Sequence, residues 1–170
     1  MDTTHEWGGP MFAGRHLCKK HYPHSLGLSA AFRQHRAESH CRFIHGYALA
    51  FTYTFWTHNL DARNWVIDFG SLKPIKEWLV ETFDHKLLVA EDDPLVAQLV
   101  ALHESGGANV ALVKRVGCES FAEMAARFCI QYLRDQARGD VYLRSVECAE
   151  HEGNSASFEI PEAAYSPHRA

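Results

Sequence analysis

One segment of the sequence, Phe43 to about Thr57, most constrains what this chain can fold into. It reads FIHGYALAFTYTFWT, with bulky side chains at odd positions and mostly small ones at even positions. A period of two is typical of a β-strand, whose successive side chains point to opposite faces. The alternation therefore predicts one long strand, bulky on one face and slim on the other, in a sheet that is covered on both sides.

The rest of the chain is predicted to form adjacent strand pairs with helices between them. A first strand is expected from His24 to Gln34, and a helix from Ser71 to about Asp84. Further elements are a shorter helix from Asp93, a strand from Asn109 to Val116, a helix from a capping box at Ser120 and Glu123 to about Gln136, and strands from Val141 to Glu150 and from Ser155 to Ile160. Paired strands favour an antiparallel α+β fold over a doubly wound parallel one.

Length and composition indicate one soluble domain. The chain has 170 residues, of which 46% are hydrophobic and 22% charged, which excludes a disordered or low-complexity protein. Residues 1–23 are rich in His, Gly and Pro and are interpreted as an N-terminal extension to a domain of residues 24–170. A net charge of -4 gives no global attraction to nucleic acid or to a membrane. Five cysteines without a C-x-x-C pair indicate reduced thiols and a cytoplasmic protein.

The candidate chemistry lies in a histidine-rich segment and in three acidic positions. His35, His40, Cys41 and His45 fall within eleven residues, and imidazole and thiolate are the usual zinc ligands. In a straight strand Cys41 and His45 would lie about 13 Å apart, so a shared site needs a turn between them. A histidine-rich loop without metal is an equal alternative. The sequence also contains an Asp84-His85 pair, in which the carboxylate could orient the imidazole, and Glu119 and Glu150, which could equally be surface charges.

These pieces, in this order, resemble the 6-pyruvoyl-tetrahydropterin synthase family, and especially its 6-carboxytetrahydropterin synthase branch of the queuosine route. The resemblance extends from about Leu28 to Phe158. The matching motifs are Ser29-Ala30-Ala31, Cys41-x3-His45-Gly46, WVIDFGSLK from Trp65, Asp84-His85, CESFA from Cys118, and Glu150 followed by Glu152-Gly153-Asn154.

The resemblance implies the tunnelling fold, in which two main helices cover one face of an antiparallel four-stranded sheet, and a homo-oligomer, typically a hexamer, with active sites between subunits. It implies a carbon-carbon lyase acting on a pterin. Cys41, Asp84 and His85 would move protons, and Glu150 and Glu119 would bind the pterin ring. His45 would be a zinc ligand.

The sequence departs from the family pattern at two of the three usual zinc ligands, where it has Phe32 and Tyr47. The nearest replacements are His40 and His35, and with His45 they would form a three-histidine set. The expected reaction converts 7,8-dihydroneopterin triphosphate to 6-carboxy-5,6,7,8-tetrahydropterin, with acetaldehyde and triphosphate released. The alternatives are 6-pyruvoyl-tetrahydropterin synthase activity, a non-catalytic paralogue that binds a pterin or purine-like ring, and a histidine-rich metal-binding module.

Overall fold

The computed structural model describes residues 14–136 and 139–165, so most of the predicted extension, residues 1–13, lies outside the described residues. The described part contains seven strands and three α-helices. The strands are β1 (His16–Tyr22), β2 (Leu28–Phe32), β3 (His45–Thr57), β4 (Lys86–Ala90), β5 (Val110–Val113), β6 (Tyr142–His151) and β7 (Asn154–Glu159). The helices are α1 (Lys73–Phe83), α2 (Val96–Glu104) and α3 (Cys118–Asp135).

The long strand predicted from the alternating segment is β3, and it organises the sheet. The bulky odd side chains Leu49, Phe51, Tyr53 and Phe55 are fully buried. β6 pairs with β3 along one edge. The other edge is shared, because β2 pairs with residues 45–49 and β1 with residues 51–57. A short 3-10 turn, His24–Leu26, separates β1 from β2.

The α+β class is confirmed, but the expectation of a four-stranded antiparallel sheet is wrong. The sheet has seven strands in the order β5-β4-β2-β3-β6-β7, with β1 also on β3. β4 is parallel to both of its neighbours, β2 and β5. The prediction from sequence did not include β4, because the apolar run KLLVA has no period of two. Such a run is typical of a strand buried on both faces: Leu88 joins the main core, while Leu87 and Val89 pack with α2.

Residues 16–22 were interpreted as part of the N-terminal extension, and they form β1. Their sequence, HLCKKHY, is too polar to predict a strand, and the pairing along β3 supplies the backbone hydrogen bonds that make one. The strand therefore belongs to the sheet. Whether a separate extension precedes it stays a prediction.

Helices α1 and α3 cover the bulky face of β3. Ile75, Leu79 and Phe83 of α1 and Phe121 and Ala125 of α3 share one buried cluster with the odd residues of β3. The slim face was expected to be covered too, but Gly46 and Ala48 at its start are exposed in the single chain. No helix of the described residues is long and apolar enough to span a membrane.

The predicted capping box at the start of α3 is wrong. The helix begins two residues earlier, at Cys118, after Gly117, whose φ of 109° is strongly unfavourable for other residues. Glu123 instead forms ion pairs with Arg115 and Arg127, each at 2.7 Å. The N-terminus of α3 is therefore set by a glycine rather than by a side-chain cap.

Gly46 allows β2 and β3 to approach closely, and Gly46→Ala should weaken this pairing. A Cβ at this position would lie 2.8 Å from the carbonyl oxygen of Ala30 and 3.3 Å from Cα of Ala31. Both are backbone atoms, so β2 would have to move. We expect the free energy of unfolding to fall by about 1–3 kcal/mol in urea titrations. Gly139→Ala is the control, since nothing lies within 4 Å of its Cβ. Equal stability of the two variants would contradict this prediction.

Candidate active site

The loop between β2 and β3 carries Cys41 and is closed by local hydrogen bonds. The N–H of Gln34 donates to the carbonyl oxygen of Cys41 at 2.9 Å, which brings the two ends of the loop together. Cys41 lies in a 3-10 turn, His40–Arg42, and its N–H donates to the hydroxyl of Ser39 at 3.4 Å. Cys41 is half-buried and carries a free thiol.

The start of this loop is anchored by buried charge. Nε of Arg33 lies 3.4 Å from Oδ2 of Asp93, whose side chain is 0% exposed. His35 lies beside the same carboxylates, with Nε2 3.7 Å from Asp92 and Nδ1 4.0 Å from Asp93. A buried charge that loses its partner is strongly destabilising, so these contacts hold the loop against the segment that leads into α2.

This anchoring separates the histidines that were predicted to hold zinc. His35 is directed at Asp92 and Asp93, away from His45, whose Nδ1 lies 2.8 Å from the carbonyl oxygen of Phe43. Within residues 14–136 and 139–165, no three His, Cys, Asp or Glu side chains are grouped so that they could hold one metal ion. The predicted set of His35, His40 and His45 is therefore not assembled, and the residues present do not fit a catalytic zinc.

A row of aromatic rings lies where the resemblance expects metal ligands. The rings of Phe32 and His45 are 5.0 Å apart, and those of His45 and Tyr47 are 5.7 Å apart in an edge-to-face arrangement. Tyr47 continues the row to His151 at 6.1 Å. At the other end, Phe32 contacts Phe121 of α3 edge-on at 5.3 Å, so the row begins in the core.

Glu150 and Cys41 lie close enough to Tyr47 for their charges to act on its hydroxyl. Desolvation raises the pKa of Tyr47, and the charges of Glu150 and Cys41 raise it further. The phenol therefore keeps its proton at neutral pH and is available as a hydrogen-bond donor. Cys41 of the loop and Glu150 of β6 therefore both act electrostatically on the same group, the Tyr47 hydroxyl.

Glu119 belongs to the same region. Burial raises the pKa of Cys148 well above its usual range, and a hydrogen bond with the Cys118 thiol and the charges of Glu150 and Glu119 add to this effect. Glu119 lies in the first turn of α3, where the helix dipole favours a carboxylate. Glu150 thus acts electrostatically on both Tyr47 and Cys148, whereas Cys41 acts on Tyr47 and Glu119 acts on Cys148.

The predicted Asp84-His85 pair forms where α1 ends. α1 ends at Phe83, and His85 has a left-handed φ of 54°, which allows its Nδ1 to lie 2.8 Å from Oδ1 of Asp84. The same carboxylate oxygen accepts the N–H of Ser29 at 3.2 Å. The catalytic roles of the pair stay predictions.

Sequence reasoning underrated one residue of this region, Tyr47, which counted only as a missing ligand. Cys118 and Cys148 are packing residues of the core.

A cavity lies elsewhere, beside the far end of β3. It measures about 630 Å³ and is lined by residues that include Cys18, Trp65 and Phe69. Its one carboxylate, Asp68, accepts the N–H of Gly70 at 2.8 Å and pairs with Arg63. This cavity is mostly apolar and contains none of the predicted catalytic groups, so we place the candidate active site at Cys41 and Glu150.

A mixed sheet with two helices on the bulky face of β3 defines an α+β protein of the tunnelling-fold class. The family model for 6-pyruvoyl tetrahydropterin synthase matches residues 24–161. The chain therefore belongs to the 6-pyruvoyl tetrahydropterin synthase family.

Curated relatives and solved structures agree with this family. A 6-carboxy-5,6,7,8-tetrahydropterin synthase from Rickettsia bellii is 33% identical over 73 residues, which cover 41% of this chain and 53% of the relative. The enzyme of that name from Aquifex aeolicus is 25% identical over 122 residues, or 72% of this chain and 73% of the relative. The chain thus spans only about half the length of the Rickettsia relatives it matches.

Two crystal structures show the same fold at low sequence identity. An uncharacterized protein from Wolinella succinogenes superposes with a TM-score of 0.68 at 18% identity, covering 86% of this chain and 97% of the other. The 6-pyruvoyl tetrahydropterin synthase of Plasmodium vivax has a TM-score of 0.61 at 14% identity, with 86% and 99% covered.

Alkylation by iodoacetamide should distinguish Cys41 from the other thiols. Cys118, Cys129 and Cys148 are buried, and burial raises the pKa of Cys129 and Cys148. Cys18 is half-buried, but partial burial raises its pKa as well. Because the thiolate is the nucleophile, we expect Cys41 to react about 10-fold faster than Cys129 or Cys148 in the folded protein at pH 7.5, as followed by peptide mass spectrometry. Cys41→Ser is the control. Comparable labelling of Cys129 would contradict the prediction.

Proposed function

We propose that the chain is a carbon-carbon lyase that converts 7,8-dihydroneopterin triphosphate to 6-carboxy-5,6,7,8-tetrahydropterin, releasing acetaldehyde and triphosphate. The family and the names of the curated relatives support a pterin-metabolising enzyme. The observation that carries the proposal is the similarity to curated 6-carboxy-5,6,7,8-tetrahydropterin synthases, and the electrostatic action of both Cys41 and Glu150 on Tyr47 agrees with it.

The carboxylates suit the pterin ring. An ionised carboxylate has two acceptor oxygens, and the ring presents an amino group and a neighbouring N–H as two parallel donors. Glu150 would accept this pair of hydrogen bonds, and Glu119 would support the ring from the start of α3. The Cys41 thiolate would then lie beside the substrate side chain, where it removes or returns a proton.

The relay partner of Cys41 would come from a second copy of the chain. The Asp84 carboxylate accepts a hydrogen bond from the Nδ1–H of His85, which leaves Nε2 of His85 free to act as a base. The His85 side chain is 83% exposed. An oligomer in which Cys41 of one copy and His85 of another face each other across an interface would complete this site. We propose a homo-oligomer, a hexamer by resemblance.

One observation favours a second candidate function. Phe32 and Tyr47 replace two histidines that the resemblance expects at the substrate side chain, while Glu150 is kept. A paralogue that binds a pterin or purine-like ring without turnover would keep the carboxylate and dispense with those histidines. The products separate the candidates. Acetaldehyde with the 6-carboxy product supports the first, a 6-pyruvoyl product supports 6-pyruvoyl-tetrahydropterin synthase activity, and binding without product supports the paralogue.

Two variants should separate turnover from ring binding. With dihydroneopterin triphosphate as substrate and mass-spectrometric product analysis, Cys41→Ala should lower kcat by about 100-fold or more. Its affinity for pterin, measured by fluorescence quenching, should stay unchanged. Glu150→Gln should weaken pterin binding about 10-fold or more, because it replaces one acceptor with a donor. Glu152→Gln, in the adjoining turn, is the matched control. Full turnover in Cys41→Ala would refute the role of the thiol.

Mixing two inactive variants tests whether the site is shared between subunits. Cys41→Ala and His85→Ala should each be inactive alone. After unfolding and refolding together in equal amounts, about a quarter of the sites would combine an intact Cys41 with an intact His85 from another subunit. We expect about that fraction of wild-type activity to return. Activity that stays at the level of the separate variants would place Cys41 and His85 outside a common site.

A further inference from the structure

Positions 32, 45 and 47 form a triangle on one face of the sheet, where the resemblance expects three metal-binding histidines. Phe32 and His45 are direct cross-strand partners, and Tyr47 lies two residues further along β3 on the same face. Direct partners have Cβ atoms about 5 Å apart and diagonal neighbours about 7–8 Å, so three histidines here could reach one ion. This chain offers one histidine and two aromatic residues at the same places.

We propose that Phe32, His45 and Tyr47 form an aromatic subsite that works without a metal ion, in which the Tyr47 hydroxyl donates a hydrogen bond to a side-chain oxygen of the bound pterin. The inference rests on the proposed function for the identity of the ligand. Its account of the metal depends only on the residues of the chain.

The packing of Phe32 fixes the first corner of the triangle as part of the core. Its side chain is 1% exposed and meets Phe121 edge-on at an interplanar angle of 84°. A residue held in this way closes the apolar core beneath the site. It gives the subsite a rigid, non-ligating floor.

Of the three residues, only His45 has a side-chain nitrogen that could bind a metal ion. Its ring is tilted on Phe32, and its Nδ1 is 2.8 Å from the carbonyl oxygen of Phe43, which requires the proton on Nδ1. Nε2 is then the one ring nitrogen of His45 without a proton. His35, the nearest replacement with described contacts, is committed to Asp92 and Asp93 with its side chain only 11% exposed. One imidazole is two ligands short of the three protein ligands that a catalytic zinc takes.

Tyr47 provides the polar group of the subsite. It is half-buried between the rings of His45 and His151, and Glu150 and Cys41 lie within reach of its hydroxyl electrostatically. A ring bound on Glu150 would therefore direct its substituent toward both Cys41 and Tyr47. A phenol can donate one hydrogen bond to an alcohol or carbonyl oxygen. In a metal-containing site, a metal ion would bind that oxygen instead.

Zinc binding without substrate tests the first half of this proposal. The wild type, Phe32→His/Tyr47→His and the control Phe32→Leu/Tyr47→Phe compete for zinc with a chromophoric chelator, and their metal content is measured by mass spectrometry. We expect the double-histidine variant to bind zinc about 100-fold more tightly than the wild type, with the control resembling the wild type. Because a histidine at buried position 32 can prevent folding, Tyr47→His alone is measured too and should gain about 10-fold. One tightly bound zinc per wild-type chain, or no gain in either histidine variant that folds, would overturn the proposal.

Ligand preference tests the second half. Neopterin carries side-chain hydroxyls and 6-methylpterin does not, and fluorescence titration gives the affinity of each for the chelator-treated wild type and Tyr47→Phe. The wild type should prefer neopterin, and Tyr47→Phe should reduce this preference about 5-fold while leaving 6-methylpterin affinity unchanged. An unchanged preference would overturn the role of the hydroxyl. Neither measurement needs turnover, so failure of the proposed function, seen as binding without products, is distinguishable from failure of this inference.

Discussion

The fold depends on one strand that must be paired along its whole length. β3 runs for thirteen residues and buries a continuous stripe of large side chains, so unpaired backbone anywhere along it would be costly. No single neighbour covers its first edge. β2 and β1 divide that edge between them, and Gly27, with φ of 81°, allows the chain to turn between the two. The end of β3 that pairs with β2 is also the end that carries His45 and Tyr47, so sheet pairing and site geometry are set together.

The candidate site is continuous with the core rather than attached to it. Phe51 contacts Phe83 at 5.0 Å, Phe83 contacts Phe121 at 5.3 Å, and Phe121 contacts Phe32 beneath His45. These rings join β3, α1, α3 and β2 in one packed series. Interiors packed in this way transmit small displacements instead of absorbing them. The orientation of His45 and Tyr47 therefore depends on how α1 and α3 pack in the core.

Periodicity predicted the elements that have a one-sided environment and failed where the environment is two-sided or polar. β3, α1 and the body of α3 have clear apolar stripes, and all three were found. β4 is buried on both faces, and β1 is a polar strand in which only Tyr22 is buried, so neither shows a clear apolar period. The parallel pairing of β4 could not be read from local sequence. The N-terminus of α3 was misplaced because Ser120 and Glu123 imitate a capping box inside the first turns of the helix. The predicted helix start was therefore two residues too late, because Gly117 and not Ser120 precedes the first turn of α3.

The site followed the same division. The contact of Asp84 with His85 was foreseeable, because it needs only a helix that ends at Phe83. The orientation of His35 was not, because it depends on Asp92 and Asp93, more than fifty residues away in the chain. Cys41, Glu119 and Glu150 come from three separate elements, and only the resemblance to a family placed them together in advance.

The long stretch of sequence between β3 and its partner β6 has a consequence for biosynthesis. β3 ends at Thr57, and β6, which covers its other edge, begins at Tyr142. A ribosome therefore releases Phe51, Tyr53 and Phe55 into solvent well before the strand and the helix α3 that shield them have been made. Until then the nascent polypeptide presents an open, apolar strand edge of the kind that chaperones capture and that neighbouring nascent chains can pair with.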